Sequence, residues 1–245
     1  SVGTADLDIN EISVLIKYEL KKQFPIRFKK EKSDMIEKLT SEMNLAAKNL
    51  DFERAIAIAT QVGFTDINAD ILLGIPTQTK ADLKNTLHKL IKLPLTHISA
   101  YGLILEPNTP LTLAVQNGEL PEIDEDTACD MYNYTVTTLN KFGFNRYEIS
   151  NFAKKGYESK HNLTYWNNNQ YYGFGAGASG YIDNIRYDNT RSINEYFKGN
   201  YILDSHKLDS KEKIENEFIL GLRKINGINK ETFKYKYNID IKSIE

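Results

Sequence analysis

The chain has 245 residues, 41% hydrophobic and 26% charged, with a formal net charge of −2, so a broad nucleic-acid surface built on clustered positive charge is excluded. No apolar run approaches the roughly 20 residues needed to span a bilayer. The single cysteine, Cys129, excludes an intramolecular disulfide and any iron–sulfur cluster held by several thiolates of these residues, and it points to a reducing compartment.

The first residues, Ser1-Val2-Gly3-Thr4-Ala5-Asp6, have neither the basic nor the apolar region of a secretory signal, so a cytoplasmic protein is expected. Asp8 to Phe24 keeps Ile9, Ile12, Ile16 and Leu20 at helical spacing, with Asp8 as N-cap. Lys29 to Leu50 predicts a second, highly charged helix. Asp51 to Val62 predicts a cleaner one, closed by Gly63. Asp66 to Ile75 is a short apolar run ended by Gly74 and Pro76, the pattern of a strand buried on both faces.

Thr79 to Leu93 predicts a helix capped by Thr79 and stopped by Pro94, and His97 to Leu105 a second buried strand. A connection through Pro107 and Pro110 leads to a helix from about Asp124 to Lys141, ended by Gly143, and Arg146 to Ser150 predicts a third strand. Helix and strand thus alternate from Asp51 to Ser150, as a parallel sheet with helical crossovers requires. Beyond Tyr181 the segments Arg191–Phe197, Lys211–Leu222 and Ile228–Tyr237 read as helices.

Ligands of a parallel α/β sheet sit at the carboxyl ends of its strands, which draws attention to Asp70. An uncompensated buried polar group costs roughly 2–7 kcal/mol, so Asp70 either hydrogen-bonds a ligand hydroxyl or pairs with backbone amides or a neighbouring side chain. Glu106 faces a ligand or caps the next turn. Gly3-Thr4 is a close-approach turn or an ordinary one. Cys129 reads as a small core or boundary residue, His88 and His206 as solvated, and His97 as a strand-boundary residue.

Tyr147 to Tyr181 concentrates the only tryptophan and five of the 14 glycines. Within it His161-Asn162-Leu163-Thr164-Tyr165-Trp166 reads as a loop whose side chains line a flat aromatic ligand, with imidazole as an axial ligand for haem iron. The alternative is a loop pinned by a buried tryptophan, its histidine bonding backbone. Gly173 to Gly180 superficially fits G-x-G-x-x-A but lacks the following amphipathic helix and acidic residue of a dinucleotide fingerprint. A strand passing closely under a cofactor is the better physical reading, with glycine removing the Cβ from the approach path.

The stretches DILLGIPTQT, HISAYGLILEPNTPL, GFNRYEISNFAKKGYESKHNLTYW and YYGFGAGASGY resemble the radical S-adenosylmethionine family of oxygen-independent coproporphyrinogen III oxidase and its relative, the HemW-type haem chaperone. The resemblance runs from about Asp51 to Ile244, and its HNxxYW motif marks the HemW branch. It implies α/β architecture: a partial (β/α)6 barrel over residues 1–182, then the start of a mostly helical C-terminal domain over residues 183–245. It also implies haem bound by His161, Asn162, Tyr165 and Trp166, with His161 on the iron, and S-adenosylmethionine contacted by Asp70, Gly175, Gly3 and Thr4.

Gly3 and Thr4 match the GT of the family's GGTP motif but not its flanks, and Ser179 stands where the HemW branch usually has histidine. The implied function is delivery of haem to membrane haem enzymes such as respiratory oxidases, at a peripheral membrane location and with a homodimer left open. The alternative is radical oxidative decarboxylation of coproporphyrinogen III. The family's CxxxCxxC, which holds the 4Fe–4S cluster, is absent from the sequence. Missing residues, truncation or loss of the cluster each account for that. Pro25 to Leu50 holds no convincing strand where the family has several, so the sequence reads as joined pieces of a longer protein.

Overall fold

The computed structural model describes residues 38–39, 41–42 and 52–244. The helix expected over Asp8–Phe24 and the Gly3-Thr4 turn lie outside these residues. Of the Lys29–Leu50 expectation, residues 38–39 and 41–42 are helical. The chain divides into two compact units: residues 1–145 with 152–157, and residues 146–151 with 158–245.

In the first unit, helix α1 (Phe52–Val62) ends at Gly63, whose φ of 104° suits a residue without a Cβ. Strand β1 (Asn68–Leu73) pairs in parallel with β2 (His97–Gly102), with Asp70 opposite Ser99 and Ile71 opposite Ala100. Between them runs α2 (Lys80–Leu90), which begins at a reciprocal capping box formed by Thr79 and Asp82. The first strand–helix–strand repeat is therefore seen as expected. Residues expected only as a connection form α3 (Pro110–Gln116), with Thr109 as N-cap and proline in its first turn. Helix α4 (Glu125–Lys141) follows its cap Asp124.

The strand order is β1-β2-β4-β3, where β3 is Asn145–Arg146 and β4 is Asn151–Ala153. The single strand expected over Arg146–Ser150 is corrected to these two short ones. Glu148, almost fully buried, bends the chain between them: its carboxylate accepts from the Ser150 N–H and the Asn151 side-chain amide. Thr96 ties together the residues leading into β1, the start of β2 and the end of β4. Its hydroxyl donates to Asp66 at 2.6 Å and accepts from the Ile67 N–H, while its carbonyl accepts from the Lys154 N–H. The core comprises Ile71 and Leu73 of β1, Ile98 and Ala100 of β2, and Leu83, Leu87, Met131, Leu139, Phe144 and Phe152.

The second unit holds α5 (Lys160–Trp166), an antiparallel sheet of β5 (Ser179–Ile182), β6 (Ile185–Asn189) and β7 (Ile202–Lys207), and then α6 (Ile193–Phe197), α7 (Ser210–Gly221) and α8 (Lys230–Tyr237). The three helices expected after Tyr181 are present, and the antiparallel sheet stands among them, with Ile182 of β5 opposite Ile185 of β6. Phe233 anchors this unit, fully buried against Phe218 and Tyr237.

Candidate functional site

The HNxxYW segment is a helix, not the loop its composition suggests. The Ser159 hydroxyl accepts the Asn162 N–H and starts α5, and Asn167 closes it with an N–H bonded to the Leu163 carbonyl. At about 100° per residue, His161, Tyr165, Asn162 and Trp166 fall within an arc of about 140° on one side. Leu163 and Asn167 face the opposite way and line a cavity of about 730 Å³ shared with Lys224, Ile228 and Lys230. The four expected haem-contacting residues are thus brought to one helical surface.

Their chemistry differs residue by residue. His161 is exposed; its Nε2 shares a 2.9 Å hydrogen bond with the Tyr165 hydroxyl, and the two rings meet edge to face with centroids 4.8 Å apart. The side-chain contact of His161 is therefore with a neighbouring side chain and not with backbone. Tyr165 in turn meets Tyr171 edge to face at 4.5 Å. Burial, and then proximity to Tyr171, push the Tyr165 phenol above its ordinary value, so it stays protonated. Trp166 lies under the Arg223 guanidinium at 5.2 Å, and its buried indole N–H has no hydrogen-bond partner among the described residues. That N–H is the orphaned donor of the surface.

The glycine run is explained by the protein's own packing. A Cβ on Gly173 would overlap the Ser179 carbonyl, and one on Gly180 would overlap the Tyr187 ring. Gly175 has φ of 102°, which side chains rarely adopt, and a Cβ there would meet open space. Polar side chains pin the turn. The buried Asn189 amide donates to the Gly173 and Gly175 carbonyls at 3.1 and 2.9 Å. The Tyr187 and Tyr196 hydroxyls accept the N–H groups of Gly173 and Gly175, both at 2.9 Å. Tyr172 and Phe174 project from it, exposed, with ring centroids 5.9 Å apart.

In the first unit, Asp70 stands on the sheet face opposite the Ile71 and Leu73 core and is exposed, which corrects the expectation of a strand buried on both faces. Of the two readings open for Asp70, pairing with a neighbouring side chain is the one seen. Its carboxylate accepts from the Asn68 amide at 2.7 Å, and Asn68 Oδ1 is 2.7 Å from His97 Nδ1 and accepts from Ser99 Oγ at 3.4 Å. Sequence reasoning missed this relay. The signal was present: Asn68, His97 and Ser99 lie on the polar side of the strand alternation.

At the carboxyl ends of β1 and β2, Leu73, Gly74, Gly102 and Leu103 line an apolar cavity of about 130 Å³ with Val115, Ile123 and Tyr132. Gln78 secures the rim, accepting the Gly74 N–H at 2.8 Å and donating to the Leu72 carbonyl. Glu106 supports the next turn through its backbone carbonyl, which accepts from the Thr109 and Thr112 hydroxyls.

The residues do not fit an iron–sulfur cluster. Cys129 is the sole cysteine of the sequence, and no group of three metal-binding side chains occurs among the described residues. No helix among those residues is long and apolar enough to cross a membrane.

Residues 33–58 match the UvrB/uvrC motif. The chain is 39% identical over 209 residues to the heme chaperone HemW of Bacillus subtilis, covering 83% of this chain and 54% of that one. It is 40% identical over 187 residues to HemW of Lactococcus lactis, covering 75% and 49%. To the mouse mitochondrial radical S-adenosyl methionine domain-containing protein 1 it is 44% identical over 114 residues, 46% of this chain and 26% of that protein. Among solved structures, coproporphyrinogen III oxidase (HemN) of Escherichia coli, described as a radical SAM enzyme, superposes with a TM-score of 0.62 at 16% identity, covering 76% of this chain and 47% of that one.

The fold is that of part of a radical S-adenosylmethionine protein. The chain is similar over most of its length to proteins of the HemW type, and it spans about half the length of the relatives it matches. The UvrB/uvrC match covers much of the charged stretch that was expected to be a helix over Lys29–Leu50 and extends into α1.

Proposed function

We propose that this chain forms part of a haem-binding chaperone and that the side of α5 bearing the exposed His161 is its haem contact. The carrying observation is the gathering of His161, Asn162, Tyr165 and Trp166 onto one helical surface, in a chain similar to proteins named heme chaperones. Imidazole ligates iron, and the aromatic rings offer flat apolar area to a macrocycle.

In this reading the bound haem passes on to membrane haem enzymes such as respiratory oxidases, and S-adenosylmethionine belongs to the complete protein. Asp70, oriented by Asn68, would accept hydrogen bonds from its ribose hydroxyls. S-adenosylmethionine bound to a complete cluster supplies radical chemistry; the residues present here only bind and orient.

Haemin titration followed by absorbance tests the assignment. His161→Ala is expected to weaken binding at least tenfold and to change the Soret band. Equal affinity and an unchanged spectrum would remove His161 from the site.

A further inference from the structure

Below α5 lies a charged cluster that the sequence motifs do not mark. Glu217 of α7 is about 4% exposed, accepts from the Tyr237 hydroxyl at 2.9 Å and pairs with Lys236 Nζ at 3.1 Å. Lys236 also donates to the backbone carbonyl of Asn167 at 2.6 Å, while Lys224 donates to the side-chain oxygen of the same residue. Asn168, the next residue, has φ of 49°, is buried, and accepts from Arg186 at 3.3 Å.

Asn167 is the C-cap of α5, so its backbone carbonyl is one of the acceptors at which the helix ends in partial negative charge, and its side-chain oxygen lies beside it. Three cations therefore converge on the end of a helix of less than two turns, with one carboxylate to balance them. Such a helix is marginal by itself, because its nucleation is hardly repaid over so few residues. What holds its orientation is this ring of charge-assisted bonds from segments far away in sequence. The groups facing Asn167 and Glu217 account for one another: burial pushes the Lys224 ammonium down, with Glu217 opposing that shift and Lys236 adding to it. Burial, then the Glu217 carboxylate, push the Tyr237 phenol well up, so Tyr237 remains a donor.

We infer that Lys236, oriented by Glu217, is the positioning residue of the haem surface: by gripping the Asn167 carbonyl, with Lys224 on the side chain, it fixes the direction in which α5 presents His161 and Tyr165. Lys236 touches no ligand and acts through the helix. The inference rests on the reading of α5 as the haem surface, and its test has an arm that does not depend on haem.

The experiment compares the parent with Lys236→Met, Lys236→Arg and Lys224→Met. Amide hydrogen exchange of residues 163–169 is measured first, without haem. Loss of protection there in Lys236→Met, restored in Lys236→Arg, supports the grip on α5, and unchanged protection overturns it. Haemin titration follows. Lys236→Met is expected to bind about tenfold more weakly, the scale of one charge-assisted bond, with a shifted Soret band; Lys236→Arg restores both. Altered exchange with unaltered haem affinity and spectrum in Lys236→Met, while His161→Ala abolishes binding, overturns the positioning role and leaves the haem surface standing. No effect of either variant on haem sinks the haem surface itself. Should Lys236→Met fail to fold, Lys224→Met carries the test, because it relieves a buried ammonium and removes only the side-chain half of the grip; loss of protection at residues 163–169 with weaker haem binding supports the inference, and no change in either overturns it.

Discussion

Replacing Gly180 by alanine separates two roles for the glycine run. Gly180 is buried in β5, and an added Cβ would overlap the Cζ, Oη and Cε1 atoms of Tyr187 on the neighbouring strand. The ring must swing away, which also withdraws the hydroxyl that accepts the Gly173 N–H at 2.9 Å. Overpacking costs about 1–3 kcal/mol and the lost hydrogen bond about 1, so Gly180→Ala is expected to lower unfolding free energy by about 2–4 kcal/mol. Urea unfolding followed by tryptophan fluorescence measures it. In a Tyr187→Ala background the same substitution meets no ring and should be nearly neutral, giving a large coupling energy in a double-mutant cycle. If Gly180→Ala were as stable as the parent within about 0.5 kcal/mol yet lost ligand affinity, close approach of a cofactor and not self-packing would explain the glycine.

Leu87→Ala, at a fully buried position of α2, is expected to cost about 2–5 kcal/mol in the same assay. Thr79→Ala should cost about 1 kcal/mol by removing the cap of α2. Asp82 is held below its ordinary range first by the Thr79 hydroxyl and then by the Thr79 N–H. Its stabilising share is present above the ordinary carboxylate value and lost as pH falls through the depressed one, so unfolding curves below about pH 4 should show less acid sensitivity in the variant. Tyr237 behaves in the opposite sense. Its folded value is raised, so its contribution is intact below about pH 10 and disappears at higher pH; Tyr237→Phe should flatten the alkaline limb of stability while lowering the plateau at neutral pH.

Local chemistry carried much of the fold into the sequence. Thr79 with Asp82 three residues on, Gly63 after an amphipathic run, and Asp124 before a long helix each announced an element that the structure shows. Two signals went unread. Asp183-Asn184 between alternating residues is the two-residue hairpin turn with both central φ positive, here 51° and 65°, and it builds the β5–β6 pair. Thr109-Pro110 is a cap and first helical residue.

For the candidate site, motif and spacing named the residues, but the loop reading failed. Ser159 as cap and the i, i+4 pairing of His161 with Tyr165 were the neglected helical cues. The grip on Asn167 was not legible at all, since Lys236 lies 69 residues away and such a contact exists only once the chain has folded. The relay from His97 through Asn68 to Asp70 was legible in part: strand alternation put these residues on one side, but the pairing of His97 with Asn68 depends on the register of two strands.

The contact between His161 and Tyr165 has a consequence for any species that seeks the imidazole. Where Nε2 carries the lone pair, the phenol donates to it and acts as a built-in competitor: a metal ion gains that nitrogen only while the tyrosine has turned away. Apparent affinity is then the intrinsic affinity scaled by the fraction of time the ring is released. Tyr165→Phe would lift that restraint and strengthen ligation at His161, even though it removes a polar group from the surface. One rotamer of one side chain thus sets whether the His161 nitrogen is held by the protein or open to a ligand.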